Sequence, residues 1–212
     1  MTQLKKSDDF QNNEKNDFEF PDDNNKSFIA KTFSFLLELI KTVIISLAII
    51  LPIRYFIIQP FYVKGASMEP NFHDKDYLII NEFAYRFNEP ERGDIVIFKN
   101  PRNPKEFFIK RIIGLPIEKI KIYDNKVYLY NSEYPEGNII EELYLPEGRD
   151  TRGNEIIELK GNEYYVLGDN RDHSLDSRTF GPIAKDSIIG KVWVRGWPLD
   201  KFTIFEEEKY NL

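Results

Sequence analysis

Hydrophobic residues form one continuous run near the N-terminus of the chain and shorter alternating runs after it. Residues 33–53 carry charge only at Glu38 and Lys41. A helix that crosses a membrane needs about 20 mainly apolar residues, and the long side chains of Glu38 and Lys41 can reach the lipid–water interface if they lie toward one end. The aromatic residues between Tyr55 and Tyr62 are typical of that interface. The pattern predicts a transmembrane anchor with its interfacial exit over residues 28–60.

A cleavable secretory signal and an amphipathic core helix are the two alternatives for this run. The run begins far from Met1 and ends without a small-x-small cleavage site, which disfavours a cleaved signal. Lys26, Lys31 and Lys41 precede the centre of the run, whereas only Arg54 follows it closely. The positive-inside rule therefore favours a cytoplasmic N-terminus and a C-terminal domain on the outer face of the cell membrane.

The rest of the chain has the pattern of short β-strands separated by turns. Alternating, β-branched and aromatic runs predict strands at residues 77–80, 94–98, 107–113, 119–123, 127–130, 164–167 and 188–194. Asp124 and Asn125 suit a tight hairpin turn between two of these strands. We expect residues 61–212 to form a mainly antiparallel β domain, in which the acidic, turn-rich residues 131–161 are an exposed insertion or minor subdomain.

Composition narrows the functional classes. Residues 1–27 are rich in Asp, Asn, Lys and Glu and are predicted to form a disordered cytoplasmic tail. The net charge of −6, with no block of basic residues, argues against nucleic acid as a partner. The sequence has no cysteine, which excludes disulfides and thiol nucleophiles, and its two histidines lack the spacing of a zinc-binding helix. We therefore expect no metal and no other cofactor.

A serine and a lysine are the first candidates for chemistry. Ser67 lies in the sequence Gly-Ala-Ser-Met-Glu-Pro after the predicted anchor, and Lys110 lies in an apolar predicted strand. A serine hydroxyl is a weak nucleophile until a base takes its proton, and a lysine is such a base only when it is neutral. A strand places Phe108 and Ile112 on the same face as Lys110, and apolar burial lowers the pKa of a lysine. The alternative is a solvated lysine on an edge strand.

A polar segment, residues 168–178, follows the predicted strand at 164–167. It contains more hydrogen-bonding side chains than a simple turn requires, although a turn of solvated polar residues is one alternative. A calcium loop is disfavoured, because Arg171 occupies a ligand position and no glycine or glutamate follows at the required spacing. His173 raises the further alternative of a Ser–His pair, since imidazole is the commonest general base.

Four segments in order resemble the conserved segments of the type I signal peptidases, also called leader peptidases. They are residues 65–70, 92–98, 110–116 and 169–178, within a similarity that runs from about residue 33 to residue 198. Any one of them is weak evidence, whereas four in the family's order are specific. The resemblance implies an antiparallel β catalytic domain of the signal-peptidase type, preceded by one N-terminal transmembrane helix.

The resemblance also implies roles for individual residues. Ser67 corresponds to the nucleophile, with its backbone amide as an oxyanion donor, and Lys110 corresponds to the general base. Ser174 corresponds to the residue that hydrogen-bonds and orients that lysine. The polar and ionic support around the site corresponds to Asp169, Asp176, Arg178 and Arg111.

The chain departs from the family pattern at several positions. Gly65 stands where many relatives have a serine that supplies a second oxyanion donor, so this hydroxyl is absent or replaced here. Ile117 and Glu118 stand where Gly-Asp is frequent, which affects turn geometry more than chemistry. His173 replaces a common asparagine beside Ser174.

The family resemblance implies a membrane-bound serine endopeptidase that cleaves signal peptides from exported preproteins. Its expected partners are those signal peptides, membrane lipid and the neighbouring protein export machinery. Two other functions stay open. One is a self-cleaving regulatory protease with a similar Ser–Lys pair, which the membrane anchor disfavours. The other is a catalytically silent, membrane-anchored β domain that binds envelope partners.

Overall fold

The structure, a computed structural model, describes residues 24–56 and 58–205. Helix α1 spans Asn24–Phe56, a stretch rich in Leu, Ile and Phe and free of glycine. Its segment Ala30–Pro52 is long and apolar enough to cross a membrane. The helix begins inside residues 1–27, the segment predicted as a disordered tail. Residues 1–23 lie outside the described residues, so the tail stays a prediction there.

The C-terminal part of the chain contains a large antiparallel sheet. Its eight strands are β1 (Ile58–Tyr62), β2 (Tyr77–Asn81), β3 (Ile95–Asn100), β4 (Asn103–Gly114), β9 (Glu163–Leu167), β10 (Ile183–Ala184), β11 (Ile188–Trp197) and β12 (Thr203–Ile204). Their order is β1-β2-β11-β3-β4-β9-β10, with β12 paired to β11. The pairings in this sheet are antiparallel, which confirms the predicted fold class.

A smaller antiparallel sheet lies between β4 and β9 in the sequence. Its strands are β5 (Lys119–Tyr123), β6 (Lys126–Tyr130), β7 (Asn138–Ile139) and β8 (Glu155–Glu158), in the order β7-β6-β5-β8. Asp124 and Asn125 join β5 to β6 with φ angles of 49° and 60°. Positive φ at both central residues is the geometry of a type I′ hairpin turn, which favours Asn and Asp.

The sequence pattern predicts strand positions better than strand ends. Each of the seven predicted strands is present, and the prediction misses β1, β7, β8, β10 and β12. Residues 131–161, for which the sequence predicts an exposed insertion or minor subdomain, contribute β7 and β8 to the smaller sheet. They also bury Ile140 and Leu159 in its core. Two short helices complete the domain, α2 (Ala84–Phe87) and α3 (Ser177–Phe180), with 3-10 turns at Lys185–Ser187 and Leu199–Lys201.

Strand β4 contributes to three apolar clusters. Ile109 packs into the cluster that holds Leu78 and Ile80, whereas Ile112 packs with residues of β3 and β9. Ile113 packs with residues of the smaller sheet. Since β4 lies between β3 and β9, its residues are not on a sheet edge, and the alternative of a solvated edge-strand lysine is wrong.

Candidate active site

Strand β4 carries the lysine that the sequence pattern singles out. Lys110 is only 3% exposed, and its same-face neighbours Phe108 and Ile112 belong to an apolar cluster. Its Nζ lies 5.6 Å from the centre of the Phe108 ring. Burial lowers the pKa of Lys110 from 10.5 to about 8, against the opposing effect of the carboxylates of Asp176 and Asp169. With this pKa, about one Lys110 side chain in ten is neutral at pH 7 and about half are neutral at pH 8.

Ser67 lies in the turn after β1 and faces this lysine. Met68 and Phe72, which follow it, are buried in the apolar core and anchor the turn. Lys110 Nζ lies 2.6 Å from Ser67 Oγ and 2.8 Å from the carbonyl oxygen of Ile109. Both partners are uncharged, and within the described part of the chain Lys110 forms no ion pair. The structure therefore brings a hydroxyl to a buried amine that has no carboxylate bound to it.

Arg111 points to the opposite face of β4 and is bound on several sides. Its Nε and Nη2 donate to the two carboxylate oxygens of Asp169 at 2.9 and 2.8 Å, and Nη1 donates to the carbonyl of Gly93 at 3.1 Å. Asn71 Nδ2 also donates to Asp169 at 2.8 Å. The guanidinium stacks 3.8 Å from the ring centre of Tyr144. This bidentate pair holds the loop that follows β9 against β4.

Asp176 and Arg178 form a second pair behind the site. Arg178 donates from Nε and Nη2 to the Asp176 carboxylate, each at 2.9 Å, and Asp176 accepts a further bond from the backbone N–H of Gly168 at 3.1 Å. Arg178 also donates to the carbonyls of Arg171 and Arg152. Asp176 caps the N-terminus of α3. The pair thus fixes residues 168–178, the polar segment that bonds to the Ser67 carbonyl through the N–H of Asn170.

Ser174 lies near Ser67 but forms no hydrogen bond with Lys110. Its Oγ is buried and has no hydrogen-bond partner among the described residues. The hydrogen bond from Ser174 to Lys110 that the resemblance implies is therefore not formed in this structure. Ser174 packs instead against Gly168, where an added Cβ would meet Ser174 Oγ and would lie 2.5 Å from the carbonyl oxygen of Ser67. A hydroxyl needs only a rotation about χ1 to change its partner.

The backbone around Ser67 leaves one donor available to a substrate. In the described part of the chain, the Ser67 N–H donates to no other group. Gly65 has a φ of +91°, a conformation that disfavours a side chain, and the space around it is open. Its own N–H donates to Asp74 Oδ1 at 2.9 Å. Gly65 therefore supplies neither a hydroxyl nor an amide donor toward Ser67 in this geometry.

The histidines take no part in these contacts. His173 is exposed and lines a groove beside Ser67, but the Ser67 hydroxyl is bonded to Lys110. His73 lies in the turn after Ser67, and its backbone N–H donates to Asp76 Oδ2 at 3.0 Å. Among the described residues, no three His, Asp or Glu side chains are grouped as a metal site would require.

The groove beside Ser67 is open and mainly apolar. One wall is the segment from Phe61 to Ser67 and the other is the first half of β4 from Lys105 to Lys110. Phe61 and Phe107, one from each wall, meet edge-to-face at 5.6 Å, and Ile97 also lines the groove. The groove is thus a concave, mainly apolar surface beside the Ser67 hydroxyl.

Residues 36–197 match the model of a family described as signal peptidase, peptidase S26. The chain belongs to this signal peptidase family. A signal peptidase I of Leptolyngbya laminosa is 36% identical over 81% of this chain and 84% of its own length. A signal peptidase IB of Staphylococcus aureus strain MRSA252 is 32% identical over 83% of this chain and 94% of its own. A probable signal peptidase I-2 of Synechocystis is 33% identical over 81% and 78%.

The solved structures include a similar signal peptidase. A crystal structure of a signal peptidase I from Enterococcus faecalis V583 is 29% identical and covers 49% of this chain and 97% of its own, at a TM-score of 0.41. The family match and the curated relatives confirm the resemblance to the type I signal peptidases. The chain is thus a peptidase by family.

Several contacts of this signal peptidase site have no counterpart in the sequence predictions. Asn170 binds the turn that carries Ser67, and its own side chain is bound by Arg149. Arg171 forms an ion pair with Glu142 at 2.5 Å. Arg149 and Glu142 belong to the segment predicted as an insertion or minor subdomain. The density of polar groups in residues 168–178 is the only sequence signal for them, and it does not identify partners.

Proposed function

We propose that the chain is a membrane-anchored type I signal peptidase that removes signal peptides from exported preproteins. In this proposal Ser67 is the nucleophile and Lys110, in its neutral form, is the general base. The observation that carries it is the 2.6 Å contact between Lys110 Nζ and Ser67 Oγ in a buried, apolar setting. Hydrogen-bond distance and a pKa near the working pH are the two requirements for a general base.

The reaction follows from these positions. Neutral Nζ accepts the hydroxyl proton of Ser67 as Oγ attacks the carbonyl carbon of the scissile peptide bond. The resulting ammonium gives a proton to the departing amine of the mature protein as the C–N bond breaks, which leaves the signal peptide as an ester on Oγ. Nζ, neutral again, then takes a proton from the water that attacks the ester carbonyl. It returns this proton to Oγ as the ester C–O bond breaks and the signal peptide leaves as a carboxylic acid, which restores the Ser67 hydroxyl and neutral Lys110.

The developing negative charge on the carbonyl oxygen needs a donor. The Ser67 N–H is the proposed one, because it has no other partner among the described residues. Ser174, Asp169, Asp176, Arg178 and Arg111 are the proposed support around the pair. Ser174 is expected to bond the ammonium when it forms, since its Oγ is buried beside the site with no other partner in the described chain.

Membrane anchoring is the second part of the proposal. The segment Ala30–Pro52 supplies the apolar length, and the lysines before it favour a cytoplasmic N-terminus with the peptidase domain on the outer face of the cell membrane. Ser67 follows the end of α1 at Phe56 by eleven residues. Such a short connection would keep the site close to lipid, where the signal peptides of preproteins and the export machinery are found.

The experiment replaces Ser67 by alanine in the full-length protein, purified from cells whose own signal peptidase is inactivated. Cleavage of a preprotein in detergent micelles is expected to fall to background, because loss of the nucleophile costs about 10⁶-fold in a comparable hydrolase. Ser132→Ala, at an exposed turn position, is the matched control and should cleave normally. Retained cleavage by a folded Ser67→Ala protein would rule out the proposed nucleophile, and no cleavage by the wild type would favour the silent β domain.

A further inference from the structure

Asn170 donates two hydrogen bonds to the backbone of the nucleophile turn, one to each of the two peptide units that flank the Cα of Ser67. Its backbone N–H donates to the Ser67 carbonyl oxygen at 3.0 Å, and its side-chain Nδ2 donates to the Ala66 carbonyl oxygen at 3.0 Å. Asn170 is 7% exposed. The two partners lie 103 and 104 residues before Asn170 in the chain, so the bonds tie the nucleophile turn to the loop that follows β9.

The bond to Ala66 bears directly on the oxyanion donor. The carbonyl of Ala66 and the N–H of Ser67 belong to one planar trans peptide unit and point in opposite directions. Holding the Ala66 oxygen therefore fixes the direction of the Ser67 N–H. The Glu69 N–H also donates to this oxygen, at 3.2 Å, so the carbonyl is held from two sides. An oxyanion donor acts through such fixed orientation, because it then needs no reorganisation during the reaction.

Arg149 determines which way the Asn170 amide faces. Its Nη1 donates to Asn170 Oδ1 at 3.0 Å, which leaves Nδ2 on the side of Ala66. A carboxamide with its oxygen on a guanidinium is also the stronger donor through its nitrogen, since linked hydrogen bonds polarise one another. Arg149 comes from the segment between β7 and β8, outside the four segments that carry the family resemblance.

We propose that Asn170 is a positioning residue that orients the Ser67 N–H for oxyanion binding, and that Arg149 holds Asn170 in the required orientation. The inference rests on the proposed function, in which Ser67 is the nucleophile and its amide the oxyanion donor. Asn170 contacts neither Lys110 nor Ser67 Oγ among its bonds in the structure. Its loss is therefore expected to leave the base unchanged and to weaken transition-state binding.

The test compares Asn170→Ala, Arg149→Met and Arg149→Lys in the full-length enzyme. The backbone bond from residue 170 to Ser67 survives in each, so the turn stays attached. Asn170→Ala should lower kcat by about 10- to 100-fold, less than the roughly 10²- to 10³-fold for complete loss of an oxyanion donor, with KM nearly unchanged. Arg149→Met should lower kcat by about 2- to 10-fold, as for one ordinary hydrogen bond, and Arg149→Lys should restore most of it.

Two further readouts separate positioning from a general structural role. The affinity for a peptide aldehyde, which forms a tetrahedral adduct with the serine, should fall by the same factor as kcat. The rising limb of the pH profile should stay where it is in the wild type, because the surroundings of Nζ are intact. Arg152→Met is the matched control, since the Arg152 side chain lies in an exposed ion pair, and it should behave as the wild type does.

Unchanged kcat in folded Asn170→Ala would overturn the role of Asn170, and so would a loss of kcat accompanied by a displaced pH limb or by full affinity for the aldehyde. Arg149→Met that matches Arg152→Met would overturn the role of Arg149, and this surface substitution serves as the test even if Asn170→Ala fails to fold. Failure of the proposed function is visible separately, as cleavage by Ser67→Ala in the same assay.

Discussion

Two basic side chains, Lys110 and Arg111, are adjacent in strand β4 and are both buried, but their surroundings differ. Arg111, 1% exposed, is bound by the carboxylate of Asp169 through two hydrogen bonds and covered by an aromatic ring. Lys110, 3% exposed, meets a hydroxyl, a carbonyl and apolar side chains. The surroundings of Arg111 stabilise its charged form, whereas the surroundings of Lys110 favour its neutral form.

The difference has a clear energetic meaning. Lowering the pKa of Lys110 from 10.5 to about 8 corresponds to about 3 kcal/mol of preferential destabilisation of its ammonium form. Arg111 cannot respond in this way, because a guanidinium does not lose its proton in a protein. Its burial is compensated by a carboxylate instead. Strand β4 thus carries a permanently charged structural residue, Arg111, next to a candidate general base, Lys110.

The largest loss of activity is expected when Lys110 is replaced by a residue that, like Arg111, cannot lose its charge. Lys110→Arg puts a permanent cation opposite Ser67, so the serine proton has no acceptor. We expect kcat to fall by about 10⁴- to 10⁶-fold, as removal of the base does in a comparable hydrolase. Preprotein cleavage by the purified variant is the measurement. Activity within tenfold of the wild type would mean that another group is the base.

A substitution at Gly168 tests the close packing of Ser174 and the Ser67 carbonyl around this residue. An added Cβ would collide with Ser174 Oγ and with the Ser67 carbonyl oxygen at 2.5 Å. Gly168→Ala should therefore displace the nucleophile turn and lower kcat by about 10²-fold, since misplacement by about 1 Å has that effect. Gly161→Ala is the control, because its Cβ would make only an ordinary contact with Ile117 at 3.7 Å. Equal activity of the two variants would contradict the packing described.

Substitutions on the two faces of β4 should change the free energy of unfolding in opposite directions. Asp169→Asn leaves the Arg111 charge buried without its carboxylate and should lower the free energy of unfolding by about 3–5 kcal/mol. Because the Asp169 charge raises the pKa of Lys110, its removal should also move the pH limb slightly lower. Unchanged stability of Asp169→Asn would show that the ion pair is not the dominant support of that face.

Lys110→Met is the counterpart on the other face. The pKa of Lys110 is lower in the folded state than in the unfolded chain. The charged lysine therefore lowers the free energy of unfolding by its full amount below about pH 8, and this destabilisation disappears as the pH rises through 10.5. The variant should be inactive and up to about 3 kcal/mol more stable than the wild type near pH 7, with the difference vanishing above pH 10.5. Denaturant unfolding at both pH values provides the measurement, and a variant destabilised at neutral pH would argue against the buried ammonium.

The fold was largely predictable from local pattern, whereas the contacts of the site were not. The alternation in residues 119–123 matches β5 to the residue. Strand β1 (Ile58–Tyr62) escaped prediction because its aromatic residues continue the apolar run of α1 and also suit a membrane interface. Strand β8 reads Glu-Ile-Ile-Glu, too short and too charged at its ends to be distinguished from a turn.

The candidate site shows the same division. A strand's period of two predicts that Lys110 shares a face with Phe108 and Ile112, and the structure shows them so. The rotamer of Ser174 and the clamp of Asn170 on Ala66 depend on residues far apart in the chain. Neither periodicity nor composition carries that information.

The smallest effect is expected at His173. It lines the groove on the Lys110 side but has no bond to Ser67, so His173→Asn should change kcat/KM by less than about threefold and leave the fold intact. Steady-state cleavage of a preprotein is sufficient to measure it. A collapse of activity would return the histidine to consideration as the base and weaken the contrast between the two faces of β4.

The pH dependence of kcat/KM tests the central claim, a neutral Lys110, most directly. The rate constant of the wild type should rise with pH through a pKa of about 8, because the ammonium that dominates below it cannot accept the serine proton. Phe108→Ser should admit water beside Nζ, raise the pKa of Lys110 and move this limb to higher pH. A wild-type profile that is flat between about pH 6 and 10, or a limb that does not move in a folded Phe108→Ser protein, would contradict the claim.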